Sequence, residues 1–425
     1  MNIFKAYDVR GVYPIEINEK IVYNISRAFR EFLGGKNILV ARDVRISSSR
    51  LHKALLSGLI DSGVRVIDIG LSTTPMFYFA IKKLRTYGGI MITASHLPKN
   101  YNGLKLCGKN SIPISFGNGL EKIEKIFKNQ NFKKYKKGSI TNYNILNKYK
   151  KFLLKGCVKT ELNVVVDSGN MVGVIDGKIL EGVCNVKPLF FKIDGNIPNR
   201  GVDPSINKNT IKLSQTVLKQ KADLGIAFDA DSDRVVFLDD LGNKLQAHHV
   251  AWIFMDYIKN SKLVYDLTVS SIISKKAVQN NIKPIISKVG RTNIIRNMIK
   301  NKAVFGVESS GHYYYKKNNY LDSAVITALI MLKILHKKNM KLSDILKEIP
   351  ETNIETIKIK SSKNLENKFL KGSKKVLKID GTSILHDDYW VNIRKSNTEN
   401  ISKVTIESRN KKIFNKIKAI VKNNL

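Results

Sequence analysis

Three aspartates at alternate positions, Asp229, Asp231 and Asp233, run directly into Arg234 in the stretch IAFDADSDRVVFLDDLGNKL (226–245). An apolar approach (Leu224, Ile226, Phe228) leads in and a second apolar run, Val235 to Leu238, leads out, so the stretch reads as strand, tight acidic loop, strand. Carboxylates this close repel one another unless a cation neutralises them. Hard divalent ions take oxygen ligands, which makes Mg²⁺ the natural candidate. An EF-hand opens with the same alternation and would place Asp240 at its twelfth position. However, Arg234 stands where that loop requires Gly, and a strand-like run fills its second half. A solvated turn is the plain alternative.

Three other loops carry chemistry. Thr93-Ala94-Ser95-His96 follows the apolar run Gly89 to Ile92 and is succeeded by Pro98, Asn102, Gly103 and Lys105. Ser95 is a candidate nucleophile at the carboxyl end of a strand, where α/β sheets place their sites. Taken alone, a loop Ser beside His reads as a turn or a helix cap. Val307 to His312 offers a carboxylate, a hydroxyl and an imidazole in Glu308, Ser310 and His312, suited to polyol hydroxyls and proton transfer. Arg394-Lys395-Ser396-Asn397-Thr398-Glu399 lies between two strand-like runs and reads either as an anion cradle or as a polar hairpin loop. A metal site, a phosphate grip and a serine together point to phosphoryl transfer, in which positioning and charge neutralisation supply most of the catalysis.

The elements that must hold these loops alternate in period. Asn37 to Ala41, Val64 to Ile69 and Gly89 to Ile92 read as strands. A helix through Leu51 to Ser62 follows Ser47 to Ser49, which could cap it, and Thr74-Pro75 opens another. Strand and helix alternating in this way say parallel α/β. Phe127 to Lys137 reads as a linker, Tyr143 to Leu154 as an amphipathic helix, and Leu162 to Val166 as the start of a second unit with a further strand at Pro188 to Ile193 and a helix at Ile211 to Lys219. A third unit runs from His248, with strands at Leu263 to Tyr265, Pro284 to Ser287 and Ala303 to Gly306 and a long apolar helix at Asp322 to His336. The last seventy or so residues change character, with strands at Thr356 to Ile359, Ser383 to His386, Trp390 to Ile393 and Lys403 to Ser408 and few helices between, as in a small antiparallel α+β domain.

At 425 residues the chain exceeds what one core supports, so about three or four domains are expected. No window approaches the ~18 uninterrupted apolar residues of a membrane span, and the charged start MNIFKAYDVRG does not match a signal peptide, which points to a cytoplasmic protein. Cys107, Cys157 and Cys184 are odd in number and widely spaced, which argues against a disulfide framework or a zinc site. The 73 Lys+Arg against 35 Asp+Glu give a formal charge of +38 and raise nucleic-acid binding. The lysines are spread through every segment and often sit beside Asn, so a general compositional bias accounts for them without a specific nucleic-acid partner. The charge can still attract an anionic substrate.

The ordered set of motifs resembles the α-D-phosphohexomutase superfamily, most closely its phosphomannomutase/phosphoglucomutase branch. TASHLPKNYNGLK looks like the phosphoserine loop, DADSDR like the metal loop, the stretch from Glu308 to His312 like the sugar-recognition pattern, RKSNTE like the phosphate-binding loop, and AYDVRG is typical of the start. The resemblance implies three related α/β domains with mixed sheets (1–136, 137–246 and 247–352) and a smaller C-terminal α+β domain (353–425) around a central cleft. It implies interconversion of hexose 6-phosphate and hexose 1-phosphate, of mannose and also glucose, through a phosphoserine at Ser95 and a bound hexose 1,6-bisphosphate, which also serves as activator. Mg²⁺ would sit on Asp229, Asp231, Asp233 and an oxygen of phosphorylated Ser95, and Arg234 would steady the phosphoserine. Arg10, Lys105 and His312 are candidates for charge stabilisation or proton transfer. Glu308 and Ser310 would contact sugar hydroxyls, and Arg394, Ser396, Asn397 and Thr398 would hold the phosphate that does not react. The partners are small sugar phosphates, and the assembly is a monomer or homodimer. Four positions depart from the pattern. Leu97 replaces an Asn, Ala230 and Ser232 replace loop glycines that would tolerate positive φ, and Arg291 replaces a His. Phosphoglucosamine mutase, or a paralogue that binds sugar phosphates with weak turnover, is the alternative.

Overall fold

The computed structural model describes residues 3–360, 364–396 and 401–423. They fall into two compact units. The first comprises 1–245 with the short returns 311–313 and 321–343, and the second comprises 246–310, 314–320 and 344–425. Among the described residues no helix is long and apolar enough to cross a membrane.

The first unit holds two mixed sheets. In one, Asn37–Arg42 lies at the middle of a parallel set with Gly88–Ile92 and Arg65–Leu71, and Ser139–Asn142 extends that set along Arg65–Leu71. Tyr101–Cys107 then runs antiparallel to Gly88–Ile92, and Val9–Val12 antiparallel to Tyr101–Cys107. Lys105 therefore stands on a strand, where the sequence suggests only loop. Gly103 explains part of that difference, because a Cβ there would meet the Val9 carbonyl oxygen at 2.2 Å, so only glycine lets these two strands pair. The second sheet sets Leu224–Phe228 beside Asn163–Asp167 in parallel and beside Val235–Leu238 in antiparallel register, with Asn185–Leu189 at its edge.

Several boundaries differ from those expected. The edge strand is Asn185–Leu189, not Pro188 to Ile193. Pro188 is tolerated because the strand is at an edge, and Phe190, at φ +56°, turns the chain out of it. The helix expected from Leu51 is Ile46–Asp61, and Ser47 to Ser49 lie inside its first turn. Asp43 does the work assigned to them, accepting from the Arg45 N–H at 3.0 Å and the Ser48 hydroxyl at 2.5 Å. The amphipathic helix begins at Leu146 and ends at Leu154.

The second unit contains parallel strands Lys283–Ser287, Lys262–Asp266 and Phe305–Val307. A wholly antiparallel sheet follows, in the order Asn353–Ile359, Ser402–Ser408, Tyr389–Lys395, Thr382–Leu385, Lys375–Leu377. The helix Lys411–Lys422, not foreseen, covers this sheet by burying Phe414, Ile417 and Val421 among Ile357, Val391, Val404 and Ile406. The architecture is thus three α/β domains with mixed sheets and a fourth sheet domain at the carboxyl end.

Candidate active site

The strand Gly88–Ile92 is wholly buried and ends at the serine loop. Ser95 itself is 3% exposed and held at φ +49°, with its N–H donating to the Thr93 hydroxyl at 2.9 Å. Its Oγ donates to Asp229 Oδ2 at 3.1 Å and lies 3.5 Å from His96 Nδ1. Arg234, burial, Arg10 and His312 together hold the His96 imidazolium well below its ordinary pKa, so the ring beside the serine is neutral at physiological pH.

Arg45 organises this loop. Its guanidinium, 1% exposed and paired with Asp43, donates to the carbonyls of Ser95 and Leu97 at 2.7 Å each, of Pro98 at 2.7 Å and of Tyr101 at 3.2 Å. The planar fork of an arginine suits such a multiple grip on carbonyls. Because Leu97 is held through its backbone, the loss of a polar side chain there leaves this grip on the turn intact. Arg10 adds a hydrogen bond to the Thr93 carbonyl at 2.9 Å while Asp8 holds its other nitrogens. Neither Arg45 nor Asp43 was singled out by the sequence, although the acid flanked by two arginines in ARDVR, directly after an apolar run, was the available signal.

The acidic loop comes from the turn between Leu224–Phe228 and Val235–Leu238. Asp229, Asp231 and Asp233 are at most 1% exposed, and one carboxylate oxygen from each lies within 4.8 Å of the others. Lys105 bridges two of them, with Nζ 2.6 Å from Asp231 Oδ2 and also paired with Asp233. Thr74 fastens the loop twice, its hydroxyl to Asp231 Oδ2 at 2.7 Å and its N–H to the Asp231 carbonyl at 2.8 Å. Arg200 grips the Phe228 carbonyl at 2.7 Å and pairs with Asp167. Arg234 donates from its backbone to Asp229 Oδ1 at 3.2 Å and from Nε to His312 Nε2 at 3.3 Å. His312 Nε2 is also 3.3 Å from Asp233 and 3.7 Å from Asp322. Asp240, the would-be EF-hand ligand, instead accepts from Ser343.

Burial, then Asp233 and Asp231, push the Asp229 carboxyl well above the usual range. Burial and Asp233 also push Asp231 up, but Lys105 and Thr74 bring it below its ordinary value. Burial raises Asp233 too, and Lys105, His312 and Arg234 outweigh it and hold that carboxyl well below the ordinary value. The donor set fits a hard divalent cation. It is all oxygen, it brings three carboxylates within 4.8 Å of one another, and Asp231 Oδ1 is buried without a hydrogen-bond partner among the described residues.

Of the two substitutions in the acidic loop, only Ser232 occupies the left-handed region, at φ +60°. A non-glycine residue there costs on the order of 1 kcal/mol. Its hydroxyl donates to Asp176 Oδ2 at 2.6 Å.

Ser95, Arg10, Lys105, Asp229, Asp231, Asp233, Arg234 and His312 thus belong to the first unit, while Glu308, Ser310, Arg394 and Ser396 belong to the second. Asn397 and Thr398 lie outside the described residues. Glu308 is 4% exposed and accepts from the Gly290 N–H at 2.9 Å and from the Tyr314 hydroxyl. The following residue is tied down as well, the Ser309 N–H donating to Asp266 Oδ2 at 2.9 Å. Burial, then Glu308, push Asp266 up to about 6. Arg291 opens the helix Arg291–Asn301 directly after Gly290. Arg394 is buried within the strand Tyr389–Lys395, one residue before its end, instead of lying in a hairpin loop.

A buried hydroxyl beside three clustered carboxylates that could hold a cation, set at strand ends of mixed α/β sheets, is an arrangement suited to handling phosphate groups. Family models give the class. Phosphoglucomutase/phosphomannomutase alpha/beta/alpha domain I matches residues 1–134, domain II 145–242 and domain III 246–352. The chain belongs to the phosphoglucomutase/phosphomannomutase family. It is 32% identical to a phosphomannomutase of Escherichia coli, with 96% of this chain and 95% of that one covered. It is also 32% identical to a phosphomannomutase/phosphoglucomutase of Pseudomonas syringae, covering 98% and 94%. A crystal structure of a family protein from Burkholderia thailandensis superposes with a TM-score of 0.92 at 26% identity, over 100% of this chain and 96% of that one.

Proposed function

We propose that this chain is a phosphohexomutase that interconverts hexose 6-phosphate and hexose 1-phosphate, with mannose and glucose as the sugars. The observation that carries the proposal is the Ser95 hydroxyl hydrogen-bonded at 3.1 Å to Asp229 within the buried carboxylate triad. In the first half-reaction the phosphoryl group leaves phosphorylated Ser95. The P–Oγ bond breaks, a bond from phosphorus to a sugar hydroxyl oxygen forms, the hydroxyl proton leaves to a nearby base, and the freed Ser95 Oγ takes up a proton. The product is hexose 1,6-bisphosphate. After it reorients, the other bond from sugar oxygen to phosphorus breaks as a new P–Oγ bond forms on Ser95, the Ser95 hydroxyl proton leaves to a nearby base, and the freed sugar oxygen takes up a proton. Mg²⁺ held by Asp229, Asp231, Asp233 and the serine-borne oxygen would neutralise charge on the transferring group.

The chain's own residues do the rest. Arg45 holds the serine loop in place, Lys105 and Arg10 supply positive charge, and Arg234 steadies the phosphorylated serine. His312 is placed to move a proton. Glu308, fixed by Gly290 and Tyr314, has the oriented carboxylate that sugar hydroxyls need, with Ser310 beside it. Arg394, Ser396, Asn397 and Thr398 grip the phosphate that is not transferred, and Arg291, which cannot shuttle protons at neutral pH, adds to the phosphate grip. The enzyme acts on small sugar phosphates as a cytoplasmic monomer or homodimer.

The test is turnover on mannose 1-phosphate, glucose 1-phosphate and glucosamine 1-phosphate in parallel, with Mg²⁺ and a trace of hexose 1,6-bisphosphate to phosphorylate the serine. Turnover on the first two is expected. Turnover on glucosamine phosphate alone moves the assignment to phosphoglucosamine mutase. Binding without turnover, with Ser95 verified as phosphorylated, makes the chain a sugar-phosphate-binding paralogue.

A further inference from the structure

Ser232 stands between two of the three carboxylates, yet its buried side chain points away from them to Asp176 on the helix Gly173–Leu180. Asp176 is itself 0% exposed. The Ser232 hydroxyl is its one side-chain donor among the described residues, and its Oδ1 has no hydrogen-bond partner among them. A carboxylate buried on so little compensation is unfavourable unless what it holds matters. What it holds is the one residue of the acidic loop at positive φ, where an L side chain resists the backbone. Ala230, on the other side of Asp231, has no such backbone. The turn that brings Asp231 and Asp233 onto the same Lys105 ammonium passes through Ser232.

We propose that Asp176 is a positioning residue: through the Ser232 hydroxyl it pins the acidic loop in the left-handed turn that brings the Asp231 and Asp233 carboxylates together. This rests on reading 229–233 as a divalent-cation site. The pair does for a serine what a glycine would do unaided, so the need for Asp176 depends on which residue stands at 232. With glycine at 232 the turn forms without help, and with alanine it has the Cβ penalty and no hydroxyl to be held by.

The experiment measures Mn²⁺ affinity of the full chain by calorimetry, alongside melting temperature. Asp176→Ala and Ser232→Ala are each expected to weaken Mn²⁺ binding about tenfold, the scale found when the support of a metal ligand is removed. Ser232→Gly, the double variant Asp176→Ala/Ser232→Gly, and Asp176→Asn, which keeps an acceptor oxygen, should stay within about threefold of wild type. The inference is overturned if Ser232→Ala binds like wild type, or if the double variant falls as far as Asp176→Ala. Should Asp176→Ala fail to fold, Ser232→Ala against wild type decides alone, since the two share the Cβ and differ only in the hydroxyl that Asp176 holds. A merely structural role would lower melting temperature without that difference in affinity. A wild-type chain that takes up no Mn²⁺ overturns the cation-site reading and this inference with it, whereas binding by wild type with no split among variants removes only the inference.

Discussion

The acidic loop of the first unit and the Glu308 segment of the second solve opposite problems. At 229–234 three buried carboxylates face Lys105, Arg234 and His312, each brought from a different strand or turn. The carboxylates there face two cations and an imidazole, and removing one partner leaves another buried and uncompensated. At 308 one carboxylate is held by two neutral donors, the Gly290 N–H and the Tyr314 hydroxyl. These two contacts fix where the carboxylate points. In the proposed reaction the first arrangement would serve charge that develops and moves, and the second the recognition of hydroxyls that do not react. Substitutions in the first should therefore fall on kcat and metal dependence, and substitutions in the second on KM.

The largest effect belongs to the proposed nucleophile. Ser95→Ala should abolish phosphorylated enzyme and lower turnover by on the order of 10³-fold or more. Intact-mass detection of the phosphoryl group checks the cause, and a variant retaining most activity would refute the phosphoserine mechanism. Next, Asp231→Ala should cost roughly 10²-fold in kcat and remove the response to added Mg²⁺, as chelation should in the wild type. Activity that survives in excess chelator would show that the triad holds no needed cation. Arg45→Lys keeps the charge but loses the fork that grips four carbonyls. A fall in kcat of about 10²-fold with little change in KM is expected, since small misplacement of a reacting group has that cost. A KM effect alone would assign Arg45 to binding.

On the recognition side, Glu308→Gln keeps the shape and removes the charge. It should raise KM for hexose phosphates about tenfold while kcat stays within a few-fold. A collapse of kcat with unchanged KM would erase the contrast between the two regions. The smallest effect is on stability. Burial lifts the Asp176 carboxyl from its ordinary 3.8 to about 7. Folding then favours the protonated form, so this group makes stability fall as pH rises from about 4 to about 7. Asp176→Asn should flatten that slope by on the order of a few kcal/mol, read from urea denaturation at pH 5 and pH 7.5. An unchanged slope would mean the carboxyl ionises freely in the folded chain.

Where the candidate residues sit on loops and strand ends could in large part be read without coordinates, because that pattern is local. The spacing of Asp229, Asp231 and Asp233 between two apolar runs marks a loop between strands, and the serine after Gly89 to Ile92 sits at a strand end for the same reason. The α/β alternation was legible wherever period 2 gave way to period 3.6. Lysine density hid the closing helix, since Phe414, Ile417 and Val421 stand among five lysines from 411 to 422. Tyr101–Cys107 did not read as a strand because Asn102 and Gly103 resemble a turn, and only the approach of Val9–Val12 gives that glycine its place.

The types of group available, a serine, three carboxylates, an imidazole and several cations, were determined by the sequence, as was their order along the chain. Which of them meet was decided by tertiary structure. Lys105 reaches Asp231 across 126 positions, Arg45 reaches the Ser95 carbonyl across 50, and Asp176 reaches Ser232 across 56. Contacts at such separations leave no periodicity in the chain. They exist because burying the sheets forces their strand ends together, and a charged side chain buried there must find a partner of opposite sign or a hydrogen bond.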